Sequence, residues 1–198
     1  MKSKFGHEYI DLLGFRLGKG KKFVDPSKAD ALERWPDPKR LEDIVSFRAY
    51  ANFIREFIPG FMDYDAALRK YTKKGAKFSD YVNDTDAQKS FSAMRSACAR
   101  SVGIATIDYI AAADPSNSGR PLEAFIDASD IGWGLTLTQR QTPGGLHVPV
   151  AVYNRSWTAT EQAWSTFERE LAGLREGLAA INHLSKGFLV IAYTDHQK

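Results

Sequence analysis

Asp127, Glu170 and Asp195 are the residues whose type and placement best suit chemistry. Asp127 follows the run Leu122-Glu123-Ala124-Phe125-Ile126, and Asp195 comes just after Phe188-Leu189-Val190-Ile191-Ala192-Tyr193. Glu170 lies between them in a long segment of helical pattern. Carboxylates brought close together repel and raise one another's pKa unless a cation sits among them. Mg2+ is hard and takes oxygen ligands, so Asp and Glu suit it better than His or Cys. Two Mg2+ ions held by shared carboxylates, with Mn2+ as the substitute, assist an in-line displacement at a phosphodiester.

Taken singly, each residue has a plainer reading. Asp127 in Asp127-Ala128-Ser129-Asp130 is a good turn former, and Glu170 with Glu161, Glu168 and Glu176 could be a solvated helix face. Asp195 could begin a turn before His196. The joint order of strand end, helix, strand end is what favours a site. His7, His147, His183 and His196 show no metal-ligand spacing, and Cys98 reads as a small buried residue of a helix.

The elements that must position the three acids follow from the pattern around them. Residues 122–126, 133–139 and 148–153 read as strands joined by short turns, an antiparallel meander. Thr158-Ala159-Thr160-Glu161 fits a capping box, which starts a helix at 158. Trp164, Phe167, Leu171, Leu174, Leu178 and Ile181 then form an apolar stripe, with Glu170 at its margin. The fourth strand, 188–193, is apolar throughout, which predicts cover on both faces. A strand reached through a long helix pairs most easily in parallel. Pairing with 122–126 brings Asp127 and Asp195 out at the same edge.

Upstream, residues 111–119 read as a linker. The segment 9–24 reads as a hairpin, with 9–17 on one side and a basic turn at 18–22. Asp25 and Pro26 are suited to the cap and first position of a helix reaching about residue 35. Helical spacing continues over 41–57, carried by Leu41, Ile44, Val45, Phe53, Ile54 and Phe57, with Pro59-Gly60 as the stop. Further helices are predicted over 62–71 and 85–101, with a basic loop at 73–78.

With 43% hydrophobic and 26% charged residues, the 198-residue chain has an ordinary globular balance. No apolar run approaches the roughly 18 residues of a membrane span, and the N-terminus has no apolar signal core. Charge is unevenly spread: residues 1–100 carry 20 Lys/Arg against 14 Asp/Glu, and residues 101–198 carry 7 against 10. A basic half beside an acidic half fits a nucleic-acid grip next to a metal site, and fits two differently solvated surfaces equally well. Lys19, Lys21, Lys22, Lys73, Lys74 and Lys77 are the candidate phosphate contacts.

Several motifs also stand in a familiar order. They are Leu12-Leu13-Gly14-Phe15 after Lys2-Ser3-Lys4-Phe5-Gly6, Val24-Asp25-Pro26-Ser27-Lys28 through Trp35-Pro36, and Phe57-Ile58-Pro59-Gly60-Phe61. Asp127-Ala128-Ser129, Gly132-Trp133-Gly134, Ser165-Thr166-Phe167-Glu168-Arg169-Glu170-Leu171 and Tyr193-Thr194-Asp195-His196 follow. In this order the chain resembles the Pol polyprotein of gypsy-type retrotransposons, over the end of reverse transcriptase and the start of its ribonuclease H domain. The resemblance implies an α+β N-terminal piece, made of a palm-end hairpin (1–24) and a helical thumb and connection (25–110). An α/β ribonuclease H-like domain with a mixed sheet (120–198), truncated after the fourth strand, then follows.

The resemblance further implies that Asp127, Glu170 and Asp195 are three of the family's four metal-binding carboxylates. Glu170 is preferred to Glu168 because the family's acid directly precedes the apolar pair, here Leu171-Ala172. Leu13 and Gly14 become candidates for positioning the primer strand. The implied partners are an RNA–DNA hybrid, a primer–template, and the rest of the polyprotein: palm and fingers, remaining ribonuclease H and integrase, with no membrane. The implied location is cytoplasmic, within retroelement particles. The implied activity is two-metal hydrolysis of the RNA strand of a hybrid; the rival is a binding or connection module that does no chemistry. The chain departs from the family in having no paired-Asp polymerase motif. The family's fourth carboxylate and last strand would lie beyond Lys198, which predicts an apolar edge at Leu189 to Tyr193.

Overall fold

The computed structural model describes residues 6–58, 60–101 and 103–195. Lys2 to Phe5 of the first motif, Pro59 and His196 lie outside the described residues. The chain divides into two compact units, Met1–Gly103 and Ile104–Lys198.

The first unit begins with β1 (Tyr9–Leu12), β2 (Phe15–Gly18) and β3 (Lys21–Val24), an antiparallel meander. The predicted strand over 9–17 is therefore two strands. The chain reverses at Leu13-Gly14, with φ of 52° and 85°, and again at Lys19-Gly20, with φ of 52° and 68°. Two-residue loops with both φ positive match the twist of the flanking strands, and glycine at the second place removes most of the strain.

Helix α1 (Pro26–Glu33) is capped as its sequence predicts, the Asp25 carboxylate accepting from the Ser27 N–H at 2.9 Å. Helix α2 (Leu41–Phe53) is shorter than predicted, and residues 55–57 tighten into a 3-10 turn. Val45 and Phe53 of its predicted stripe are exposed; Ile44, Phe47 and Ala51 carry the packing. α3 (Phe61–Arg69), α4 (Phe78–Val82) and α5 (Thr85–Ala99) complete the unit. Helix α4, at the end of the predicted basic loop, is an addition. Its Phe78 stacks on Tyr81, which in turn packs edge-on against Tyr71. The core is aromatic, with Phe47 and Phe91 at 4.3 Å between ring centroids. Cys98 is buried in it, and burial pushes its thiol up to about 12, as befits a packing residue.

The second unit opens with β4 (Ile104–Ala105), α6 (Tyr109–Ala113) and α7 (Pro115–Ser118). The predicted linker is thus partly helical. Its alanines favour helix, and Asp108 and Asp114 cap the two turns through the N–H groups of Ala111 and Asn117. β5 (Leu122–Ala128), β6 (Gly132–Arg140), β7 (His147–Ser156) and β8 (Val190–Thr194) form a mixed sheet in the order β7-β6-β5-β8. β5 pairs antiparallel with β6 and parallel with β8, in the register Ile126 to Thr194.

Helix α8 (Thr166–Ser185) packs on this sheet. It begins eight residues later than predicted. Thr158 and Glu161 do exchange capping hydrogen bonds, but they close only a 3-10 turn over 161–163. A second box, Ser165 with Glu168, starts the helix itself. The predicted stripe is also revised. Phe167, Leu171 and Leu178 are exposed, whereas Gly173, Gly177, Ile181 and Ser185 are buried. The small residues let the helix lie close to the strands. A Cβ on Gly173 would stand 3.1 Å from the Trp133 Cβ and 3.3 Å from the Ala128 Cβ. β8 is not covered on both faces: Ile191 and Tyr193 are exposed, as is Leu189 before it. That exposure follows from its place at the edge of the sheet.

Candidate metal centre

The two elements bearing Asp127 and Asp195 meet by the parallel pairing. Ile126 stands opposite Thr194 on β8, so the acids that follow each are neighbours. Asp127 is the penultimate residue of β5, and Asp195 comes directly after β8. Glu170 arrives from the second turn of α8. One carboxylate oxygen from each of the three lies within 4.8 Å of the others. Asp127 and Asp195 are exposed and Glu170 is half-buried, so the group opens to solvent. Three converging carboxylate oxygens of this kind fit a hard divalent cation with open positions for water or substrate oxygens.

Glu168 has a different task. Its Oε2 accepts from the Ser165 N–H and hydroxyl, both at 2.8 Å, and those bonds hold its carboxyl below the ordinary range. The acid at 170 is the one brought to the sheet edge.

The surroundings were not visible from the sequence pattern. The β5–β6 turn closes with the Ser129 N–H donating to the Gly132 carbonyl at 2.8 Å. After β7, Trp157 donates from its backbone N–H to the Ile131 carbonyl at 3.0 Å and from its indole to the Ser129 carbonyl at 2.8 Å. On the helix side, Arg169 meets Asp130 at 2.7 Å. About two turns further along α8, Glu176 accepts from the Trp133 indole at 2.8 Å and from Arg155 at 2.8 Å. Arg155 also grips Glu161, and that hydrogen bond holds the Glu161 carboxyl down near about 2. Spacing cannot announce the Trp157–Ser129, Arg169–Asp130 and Trp133–Glu176 contacts, because each joins residues far apart in sequence.

At the other end of β5, Glu123 is buried beside Arg140, at 3.4 Å, and His147, at 3.1 Å. The Arg140 guanidinium also lies 2.6 Å from His147 Nε2. An internal guanidinium occupies the place a cation would take, so this cluster is no metal site.

In the first unit, Leu13 and Gly14 form the exposed β1–β2 turn, with the Gly14 carbonyl accepting from the Asp25 N–H at 3.2 Å. Lys19 pairs with Glu8 and Lys22 with Glu56, each at 2.6 Å. Lys22 also sits over the Phe15 ring at 4.1 Å. Lys21 is half-buried, whereas Lys73, Lys74 and Lys77 are exposed between α3 and α4. The six lysines therefore belong to two separate segments rather than one strip of sequence.

Residues 117–198 match the family model of the RNase H-like domain found in reverse transcriptase. The second unit is an RNase H-like domain. Along 99% of its length the chain is 26% identical to the retrovirus-related Pol polyprotein from transposon gypsy of Drosophila melanogaster, and along 98% it is 27% identical to that from transposon 412. It spans only 18% and 15% of those relatives. A solved structure of the foamy viral protease-reverse transcriptase, in complex with an RNA/DNA hybrid, shares the fold at a TM-score of 0.72 over 96% of this chain and 24% of its own, at 19% identity. The expected α+β piece followed by a mixed-sheet RNase H-like domain is thus what the chain forms. The three carboxylates lie within the matched domain.

Proposed function

We propose that the chain is the segment of a retroelement Pol polyprotein in which reverse transcriptase passes into ribonuclease H, and that the RNase H-like domain cuts the RNA strand of an RNA–DNA hybrid. The convergence of Asp127, Glu170 and Asp195 within 4.8 Å at one sheet edge carries this reading. Those three residues would hold Mg2+, with Mn2+ as a substitute. Two such ions supply Lewis-acid stabilisation of the attacking and leaving oxygens of an in-line displacement. The protein's own share is placement. β5 and β8 fix two acids in register, and α8 brings the third. The exposed mouth leaves room for a phosphodiester.

The first unit would hold the duplex through its phosphates, with Lys73, Lys74 and Lys77 the most available of the candidate contacts. Lys19, Lys21 and Lys22 would join them only by loosening their present packing. Contacts of this kind read the shape of the duplex and carry little sequence preference. The β1–β2 turn, with Leu13 and Gly14, would face the primer strand. This reading places the parent protein in cytoplasmic retroelement particles.

The test is cleavage of an end-labelled RNA–DNA hybrid by the parent polyprotein in Mg2+. Losing an outer partner of a metal ligand costs about 10–100-fold, so losing a ligand in Asp127→Asn should cost at least about 100-fold. Hybrid binding should persist. An unchanged rate would show that the chemistry is elsewhere. Binding by the unsubstituted protein without any cleavage would favour the connection-module reading.

A further inference from the structure

The turn of α8 that carries Glu170 lies between the apolar anchors of that segment. The first buried residue of α8 is Gly173, one turn beyond Glu170. Phe167 and Leu171, which flank Glu170 on either side, are 60% and 56% exposed. Trp164 just before the helix and Ala172 and Leu174 within it pack against the core, so the apolar anchors stand on either side of the residues from Thr166 to Leu171. Between those anchors Arg169 reaches across to the β5–β6 turn and meets Asp130 at 2.7 Å. The Arg169 side chain is only 13% exposed, so its stem is packed and its direction is set. The turn it grips is also tied by Trp157. Arg169 and Asp130 thus join the same two elements that present Glu170 and Asp127. The offset is one residue on the helix and three on the strand side.

We propose that Arg169 is a positioning residue for the carboxylate group. It draws the first turns of α8 against the turn after β5, and so sets the separation of Glu170 from Asp127. The three acids repel one another in the absence of a cation, and this contact opposes the opening which that repulsion favours. Because Asp130 is largely solvated, the pair adds little to overall stability. Its effect falls on the geometry of the ligand set. The inference rests on the divalent-metal reading above, and concerns how the site is held.

The test is Mn2+ titration of the chain, read by water-proton relaxation, alongside thermal melting. Arg169→Met should weaken Mn2+ binding by about 10-fold, the effect typical of partners that orient a ligand. Melting should fall by no more than about 5 °C. Arg169→Lys, which keeps a cation at the end of a long stem, should recover most of the affinity. Equal affinity in Arg169→Met and the unsubstituted chain would overturn the proposal, as would a Lys variant as weak as the Met one. Asp127→Asn serves as the reference. If it too leaves Mn2+ binding unchanged, the metal reading itself is wrong and the positioning role falls with it. A loss in Asp127→Asn with none in Arg169→Met removes the positioning role alone.

Discussion

The first unit buries one carboxylate between two guanidiniums, while the second gathers three carboxylates at an open sheet edge. Asp65 on α3, its side chain 5% exposed, accepts from Arg48 at 2.7 and 2.9 Å and from Arg69 at 2.9 Å. Burial pushes its carboxyl up, but the hydrogen bonds from Arg48 and Arg69 outweigh that push and leave it below the ordinary value. The charge of Asp65 is matched inside the fold, and the arrangement is structural. Asp127, Glu170 and Asp195 put three like charges within 4.8 Å, which serves folding poorly and suits a ligand of opposite charge. Glu123 falls on the structural side of this divide, since Arg140 accompanies it. The chain thus contains both ways of treating a carboxylate, and they should respond oppositely to the same experiments.

The largest effect should come from unmatching Asp65. Arg48→Met leaves a buried carboxylate with Arg69 alone and takes a donor from the Thr72 hydroxyl. Removing one partner of a buried pair costs about 3 kcal/mol or more. Urea unfolding of the first unit measures this, and a cost near zero would break the comparison on its structural side. The pH dependence should agree. A carboxyl held below its unfolded value, roughly 3.9, contributes stability that is present above that pH and is lost as pH falls through the folded value. The first unit should therefore weaken below about pH 4, and Arg48→Met should lessen that dependence.

The next effect concerns how the three acids come together. α8 reaches the sheet through Gly173, against the Trp133 and Ala128 Cβ atoms. Those atoms are fixed to the strand backbones, so Gly173→Ala must push the helix outward. Overpacking costs about 1–3 kcal/mol, against a gain of roughly 1 kcal/mol for alanine over glycine in a helix. A net loss of about 0–2 kcal/mol is expected, with weaker Mn2+ binding because Glu170 moves with the helix. Unchanged Mn2+ binding would mean that the helix–sheet distance does not control the site.

These glycines also show where the sequence was legible and where it was not. The meander of strands, the parallel return of β8 and the meeting of Asp127 with Asp195 followed from strand-like runs joined by short turns and from the long helix before the last strand. The Asp25-Pro26 cap was legible because capping is local. The face of α8 was misread because large apolar side chains signal burial, whereas this helix packs through glycine and exposes Phe167 and Leu171. Its start was misread because Thr158-Glu161 and Ser165-Glu168 both satisfy the same capping rule, and only the tertiary structure selects between them. Arg169 with Asp130 and Trp157 with Ser129 join residues remote in sequence, so no spacing announces them.

The smallest change in energy is the most diagnostic in sign. Unlike charges near a protein surface attract, and like charges repel, by about 1 kcal/mol at 4 Å in a water-like medium. Without divalent ions, Asp127→Asn should relieve repulsion at the carboxylate group and stabilise the second unit by up to about 1 kcal/mol. With Mn2+ at ten times its dissociation constant, the unsubstituted unit should gain about 1.4 kcal/mol from binding, and Asp127→Asn should gain much less. The order of stability then reverses between the two conditions. Removing the Asp65 charge offers no such reversal, because its cations are part of the fold. A carboxylate whose loss stabilises the metal-free chain and destabilises the metal-loaded one is held in place for its ligand, and melting with and without Mn2+ decides whether Asp127 is such a residue.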